Sequence, residues 1–110
     1  MQRQAFDSGY LQRLAQGHPE TERDFAAYFR ELLGVKLRPR LRSADLVEDV
    51  IQETFARVFK AIRDEAIGTP EALGSFVNSV CNHILFEVYR QQARTSDGPA
   101  EEAAGGAEAE

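Results

Sequence analysis

The chain has 110 residues, 43% of them hydrophobic and 28% charged, which suits one domain with one modest core and is too short for two. It contains no apolar run long enough to span a membrane and no N-terminal signal peptide, so we expect a cytoplasmic protein without membrane association. The formal net charge of −5 belongs to residues 95–110, because the acidic and basic residues before position 95 balance one another. The composition of residues 95–110, mainly Ala, Gly and Glu, predicts a disordered tail or linker after a helical domain of residues 1–94.

Two helices are predicted before position 40. A short helix can begin at a cap formed by Asp7 or Ser8, and Gly17 and Pro19 end it. Residues 35–39 alternate apolar and basic side chains before a proline, and we expect a bent or broken continuation of the second helix rather than a strand. The apolar residues of that second helix recur at helical spacing: Phe25, Tyr28, Phe29, Leu32 and Leu33.

The third helix has the clearest pattern. Ser43 is the expected N-cap, and acidic residues near the start with basic residues near the end suit the helix dipole. Glu53 and Arg57 have the spacing of an i,i+4 ion pair. The apolar residues come about two per turn: Leu46, Val47, Val50, Ile51, Phe55, Val58, Phe59 and Ile62.

The last helix is expected to begin near Ser75, after a loop in which Thr69 and Pro70 can start one short turn. Its apolar stripe comprises Phe76, Val77, Val80, Cys81, Ile84, Leu85 and Val88. The position of Cys81 in this stripe favours a core residue over a reactive thiol, and a single cysteine excludes an internal disulfide. With no strand pattern, the sequence predicts an all-α fold, a small helical bundle of three to four main helices.

No catalytic, metal or cofactor site is predicted. The two histidines, His18 and His83, have no partner at the spacing of a metal site, and no Gly-rich phosphate loop is present. The carboxylates of the third helix are explained by a solvated face. We therefore expect a protein that is not an enzyme and that uses no cofactor.

One polar strip of the third helix faces away from its apolar stripe when the helix is projected at 100° per residue. The strip contains Asp49, Gln52, Glu53, Ala56 and Lys60. A small alanine among acidic and amide groups would let another helix approach closely. An ordinary solvated surface is the alternative explanation.

The last helix has a different outward face. It comprises Asn78, Asn82, Phe86 and Tyr89, flanked by Ser79, His83 and Arg90. Aromatic rings beside amides and an arginine can stack on unpaired bases and hydrogen-bond to them, and the alternative is that these rings pack against the N-terminal helix. The basic cluster at residues 36–42 can contact phosphates or form a solvated loop.

Two of these segments together resemble region 2 of bacterial sigma-70-type transcription factors of the extracytoplasmic-function group. Residues 47–55, VEDVIQETF, are similar to the AEDLVQEVF stretch of region 2.2. Residues 75–90, SFVNSVCNHILFEVYR, are similar to the region 2.3–2.4 pattern, roughly WL..IARN...D..R. Residues 11–29 fit the family's L..L..GD..AF..LY opening, so the resemblance covers about residues 10–94.

The resemblance implies the promoter-binding domain of a transcription initiation factor. The region 2.2 helix of the family binds the clamp helices of the RNA polymerase β′ subunit, which assigns polymerase contacts to Asp49, Gln52 and Glu53. Regions 2.3 and 2.4 capture the non-template strand of the promoter −10 element as the duplex opens, together with the loop at residues 68–75. This assigns DNA contacts to Asn78, Asn82, His83, Tyr89, Arg90 and Arg94. An anti-sigma factor is a further candidate partner.

The match also has departures. His83 stands where the family usually has Asn, Glu87 stands where it often has Asp, and the last helix does not end in a basic run. The resemblance does not extend to region 4, the helix-turn-helix that reads the −35 element. One alternative function is a sigma-like module that binds polymerase or an anti-sigma factor without capturing DNA. Another is a structural bundle with no sigma role.

Overall fold

The computed structural model describes residues 6–95, which form an all-α bundle. The described residues contain no β-strand, which confirms the predicted all-helical fold. The elements, in chain order, are α1 (Ser8–Ala15), α2 (Pro19–Leu37), α3 (Ala44–Arg63), a 3₁₀ helix (Pro70–Ala72) and α4 (Leu73–Thr95). Residues 1–5 of the predicted domain, and residues 96–110 of the predicted tail, lie outside the described residues.

The first three helices begin at side-chain caps. Asp7 Oδ1 accepts a hydrogen bond from the Tyr10 amide at 2.9 Å, and Ser43 Oγ accepts one from the Leu46 amide at 3.1 Å. Both caps satisfy backbone donors that a helix N-terminus otherwise leaves without a partner, as the sequence predicted. The cap of α2 is His18, which the sequence pattern did not predict.

The segment at residues 35–39 does not break α2. The helix continues to Leu37, which is fully buried four residues after the buried Leu33. The alternation of apolar and basic side chains is therefore the last turn of a helix, in which Leu37 faces the core. Pro39 follows two residues later, where the helix has already ended.

The core lies where α3 packs against α1, α2 and α4. Phe25 of α2 is fully buried, and its ring centroid lies 4.8 Å from that of Phe29 and 5.5 Å from that of Phe59. The predicted stripe of α3 is buried except for Leu46 and Phe59, which are half-buried at its edges. Thr54 is also fully buried and compensates by donating a hydrogen bond to the Val50 carbonyl at 2.7 Å.

The last helix begins earlier than the sequence predicts. The 3₁₀ helix that starts at Pro70 leads directly into α4 at Leu73, two residues before Ser75, and Leu73 is fully buried. Cys81 lies in the buried stripe of α4, which confirms its place in the core. Burial raises the pKa of the Cys81 thiol, because an apolar environment disfavours the thiolate.

Candidate functional site

The polar strip of α3 is exposed along its whole length, as the helical projection predicts. Its residues, Asp49, Gln52, Glu53, Ala56 and Lys60, are all solvent-accessible. The apolar stripe on the other side of α3 holds the helix against its three neighbours, so the strip cannot turn inward. This part of the surface is open to a partner.

Ion pairs border the strip on both sides. On the α2 side, Arg30 Nη1 donates to both carboxylate oxygens of Glu48, at 2.8 and 2.9 Å. On the α4 side, Arg57 contacts Glu53 at 3.0 Å and Glu87 at 3.1 Å. The hydrogen bond from Arg30 is the main cause that lowers the pKa of Glu48.

The three residues assigned to polymerase binding therefore differ in their freedom to bind. Within residues 6–95, the Asp49 carboxylate makes no hydrogen bond or ion pair. Gln52 donates from Nε2 to Glu48 at 3.3 Å, and Glu53 is held by Arg57. A partner can bind Asp49 directly, whereas at Glu53 it must share or displace an existing ion pair.

The outward face of α4 forms two rows of side chains with Phe86 between them. Asn78 and Asn82 lie on the flank that faces the end of α2, where both contact Lys36. Ser79 and His83 lie on the flank that faces α3, where they line a depression of about 330 Å³ with Arg57. The predicted DNA-binding residues thus share one helix but face in two directions.

The two outward aromatics of α4 are not equivalent. Phe86 is 66% exposed. Tyr89 is half-buried and packs against the core, so the prediction that both rings face solvent is only half right. Tyr89 lies near the boundary between the buried and exposed sides of α4, four residues after the buried Leu85. Arg90 and Arg94 are exposed.

The basic cluster meets the face of α4 through Lys36. Its Nζ atom lies 2.6 Å from Asn78 Oδ1 and 2.5 Å from Asn82 Oδ1. Arg40 donates to the Lys36 carbonyl at 2.5 Å, which ties the turn after α2 to the same place. Burial is the main cause that lowers the pKa of Lys36. Sequence reasoning missed this association, because 42 residues separate Lys36 from Asn78 and no local pattern links them.

A groove of about 700 Å³ lies between α2 and the start of α4, beside Lys36. One wall is apolar and partly aromatic, and polar side chains lie at the edge. Its lining comprises Phe6, Tyr28, Phe29, Leu32, Leu33, Lys36, Pro70, Glu71, Gly74, Val77 and Asn78. The loop at residues 68–75, which the resemblance associates with DNA, supplies three of these residues.

Among residues 6–95, no three His, Cys, Asp or Glu side chains are grouped so that they can hold a metal ion. No helix in this part of the chain is long and apolar enough to cross a membrane. Comparisons of the chain with protein-family models, with curated proteins and with solved structures found no match.

Proposed function

We propose that this chain is a transcription initiation factor domain that binds RNA polymerase through α3 and captures single-stranded promoter DNA through α4. The observation that carries the proposal is where the structure places the residues that the resemblance assigns to contacts. All of them are exposed on α3 and α4 except Tyr89, which is half-buried.

The strip of α3 is suited to binding another helix. Ala56 adds little bulk, and Asp49 offers a carboxylate that no other side chain within residues 6–95 occupies. A helix carrying basic side chains can approach a surface of this kind closely and pair with the acid. The clamp helices of the polymerase β′ subunit are the partner that the resemblance implies.

The face of α4 is suited to single-stranded DNA. Phe86 presents an exposed ring on which a base can stack, and stacking of this kind is worth about 1–3 kcal/mol per base. Asn78 and Asn82 offer hydrogen bonds to base edges, and Arg90 and Arg94 are available to phosphates. The groove beside Lys36 is large enough to admit an unstacked base.

A protein-interaction module is the second candidate, and one observation favours it. Residues 1–94 carry no excess positive charge, and long-range attraction to a phosphate backbone needs such an excess. Under this reading the chain binds polymerase or an anti-sigma factor and does not capture DNA. Both candidate functions assign protein binding to α3, and only the first assigns DNA capture to α4.

The test of α3 is calorimetric titration of the full chain with an isolated β′ clamp-helix fragment. A variant carrying Asp49→Lys and Glu53→Lys should lose binding, whereas Glu31→Lys, a charge reversal at an exposed site on α2, should retain it. The absence of binding by the folded wild-type chain would refute the polymerase role.

The test of α4 is binding of a short single-stranded oligonucleotide, measured by fluorescence anisotropy. The informative substitutions are Phe86→Ala and Arg90→Ala, because both side chains are exposed and their loss leaves the core intact. Tyr89→Ala is a poor choice, because that ring packs against the core. Loss of binding in the double variant supports DNA capture, and an unchanged affinity supports the interaction module.

A further inference from the structure

The Lys36 ammonium group lies between two side-chain amides of α4. Its Nζ atom is 2.6 Å from Asn78 Oδ1 and 2.5 Å from Asn82 Oδ1. An ammonium group only donates hydrogen bonds, so each asparagine must present its carbonyl oxygen to it. The contact therefore determines which end of each amide faces Lys36 and which end faces away.

The ends that face away are the Nδ2 amino groups. Each has two N–H donors and no acceptor, and both carbonyl oxygens already accept from Lys36. The ammonium group has three N–H bonds, of which the two asparagines use two. The groups that face away from Lys36 in this part of α4 are consequently donors.

Two of these three donor groups lie at the groove between α2 and α4. Lys36 and Asn78 both line it, opposite an apolar wall that includes Tyr28 and Leu32. A planar ring that enters the groove meets apolar side chains on one side and N–H groups at its edge. A base edge that carries carbonyl oxygens can accept hydrogen bonds from those donors. An edge without acceptors leaves the donors unpaired, which lowers the binding affinity.

We infer that Lys36 is a positioning residue, which orients Asn78 and Asn82 so that α4 selects unpaired bases whose edges carry carbonyl acceptors, such as thymine. This inference rests on the proposed capture of single-stranded DNA. It assigns to Lys36 a role different from that of the other basic residues, because Lys36 acts on base identity through the two amides. A phosphate contact would contribute affinity without distinguishing bases.

The orientation itself can be tested in the free chain by NMR of the side-chain amides and the lysine ammonium group. Lys36→Met keeps most of the apolar stem and removes the donor. We expect it to shift the Nδ2 signals of both Asn78 and Asn82. Arg23→Met removes one positive charge from an exposed site on the same helix and should shift neither signal. Unchanged amide signals in Lys36→Met, in a chain whose circular dichroism remains helical, would overturn the inference.

The selectivity can be tested by anisotropy with the full chain and the β′ fragment, using an oligothymidylate of about ten nucleotides. In a matched set of oligonucleotides, one thymine at a time is replaced by difluorotoluene, which has the shape of thymine but lacks strong acceptors. At the most sensitive position we expect the wild type to bind the substituted oligonucleotide about fivefold more weakly. This is the loss of affinity that corresponds to one good hydrogen bond. Lys36→Met should bind thymine and difluorotoluene equally.

A double-mutant cycle separates positioning from direct phosphate binding. If Lys36 acts through the amides, Lys36→Met should have no further effect on thymine selectivity in a chain that already carries Asn78→Ala and Asn82→Ala. If Lys36 binds a phosphate, Lys36→Met should lower the magnitude of the slope of log affinity against log salt concentration by about one. The preference for thymine would then stay as in the wild type, and this result would overturn the inference. A wild-type chain that binds no oligonucleotide refutes the proposed function itself, and the NMR result distinguishes that case.

Discussion

The guanidinium group of Arg57 on α3 bridges to the carboxylate of Glu87 on α4, with Nη2 and Oε1 3.1 Å apart. The same group contacts Glu53 on its own helix, with Nε and Oε2 3.0 Å apart. The hydrogen bond to Glu87 is the largest cause that raises the pKa of Arg57. Arg57 thus joins the polar strip of α3 to the flank of α4, so the two proposed binding surfaces meet at one side chain.

Replacing Glu87 should change the affinity for DNA but have little effect on the stability of the fold. We expect Glu87→Gln to change the free energy of unfolding by less than about 1 kcal/mol, because an ion pair this exposed is weak. Its affinity for single-stranded DNA should rise a few-fold at low salt, because one carboxylate leaves the flank of α4, and the gain should shrink at high salt. Urea denaturation and fluorescence anisotropy measure the two quantities. An equal gain in Glu20→Gln, at the start of α2, would show that net charge alone is responsible.

Two valines provide a matched test of the core. Val58 on α3 is fully buried, whereas Val35 on α2 is 60% exposed. We expect Val58→Ala to lower the free energy of unfolding by about 2 kcal/mol, through lost burial and an unfilled cavity. Val35→Ala should stay within about 0.5 kcal/mol of the wild type, since alanine is the better helix former and no core contact is lost. Similar losses in the two variants, measured by urea denaturation, would contradict the packing described for α3.

The parts of the fold that depend on local sequence were predictable. The Ser43 cap, the Glu53–Arg57 pair and the buried stripe of α3 all follow from spacing along one helix. The start of α4 was misplaced by two residues, because a 3₁₀ helix joins it without an interruption that the sequence makes visible. The exposed strip of α3 could be predicted for the same reason as its buried stripe.

The parts that depend on how helices meet could not be predicted. Lys36 reaches Asn82 across 46 residues of sequence, and only the packed bundle brings them together. Tyr89 lies near the boundary between the buried and exposed sides of α4, where a helical projection cannot decide its burial. The sequence therefore located the residues of the candidate site on two helices but not the contacts that orient them.

The cap of α2 is a histidine, and its loss should be measurable. His18 Nδ1 lies 3.3 Å from the Thr21 amide and 2.9 Å from Thr21 Oγ1. Arg13 Nε donates to the same hydroxyl at 3.2 Å. We expect His18→Ala to lower the free energy of unfolding by about 1 kcal/mol, as for other lost caps.

The matched variant at this cap is His18→Asn, which retains a side-chain acceptor. Asparagine is among the preferred N-cap residues, so this variant should be about as stable as the wild type in urea denaturation. Equal destabilisation of the alanine and asparagine variants would show that the imidazole ring stabilises α2 by packing, not by accepting the amide hydrogen bond.

The ion pair between Arg30 and Glu48 should make part of the stability depend on pH. The hydrogen bond from Arg30 is the main cause that lowers the pKa of Glu48 below its ordinary value of 4.5. A carboxylate with a lowered pKa stabilises the folded state above the unfolded pKa, and the stabilisation is lost as the pH falls through the folded pKa. Arg30→Met should therefore have a lower melting temperature than the wild type near neutral pH, and the difference should vanish as the pH falls below the folded-state pKa of Glu48. Arg23→Met, an exposed site on the same helix, should show no such dependence. A difference for Arg30→Met that persists in acid would mean that the arginine stem stabilises the bundle without its charge.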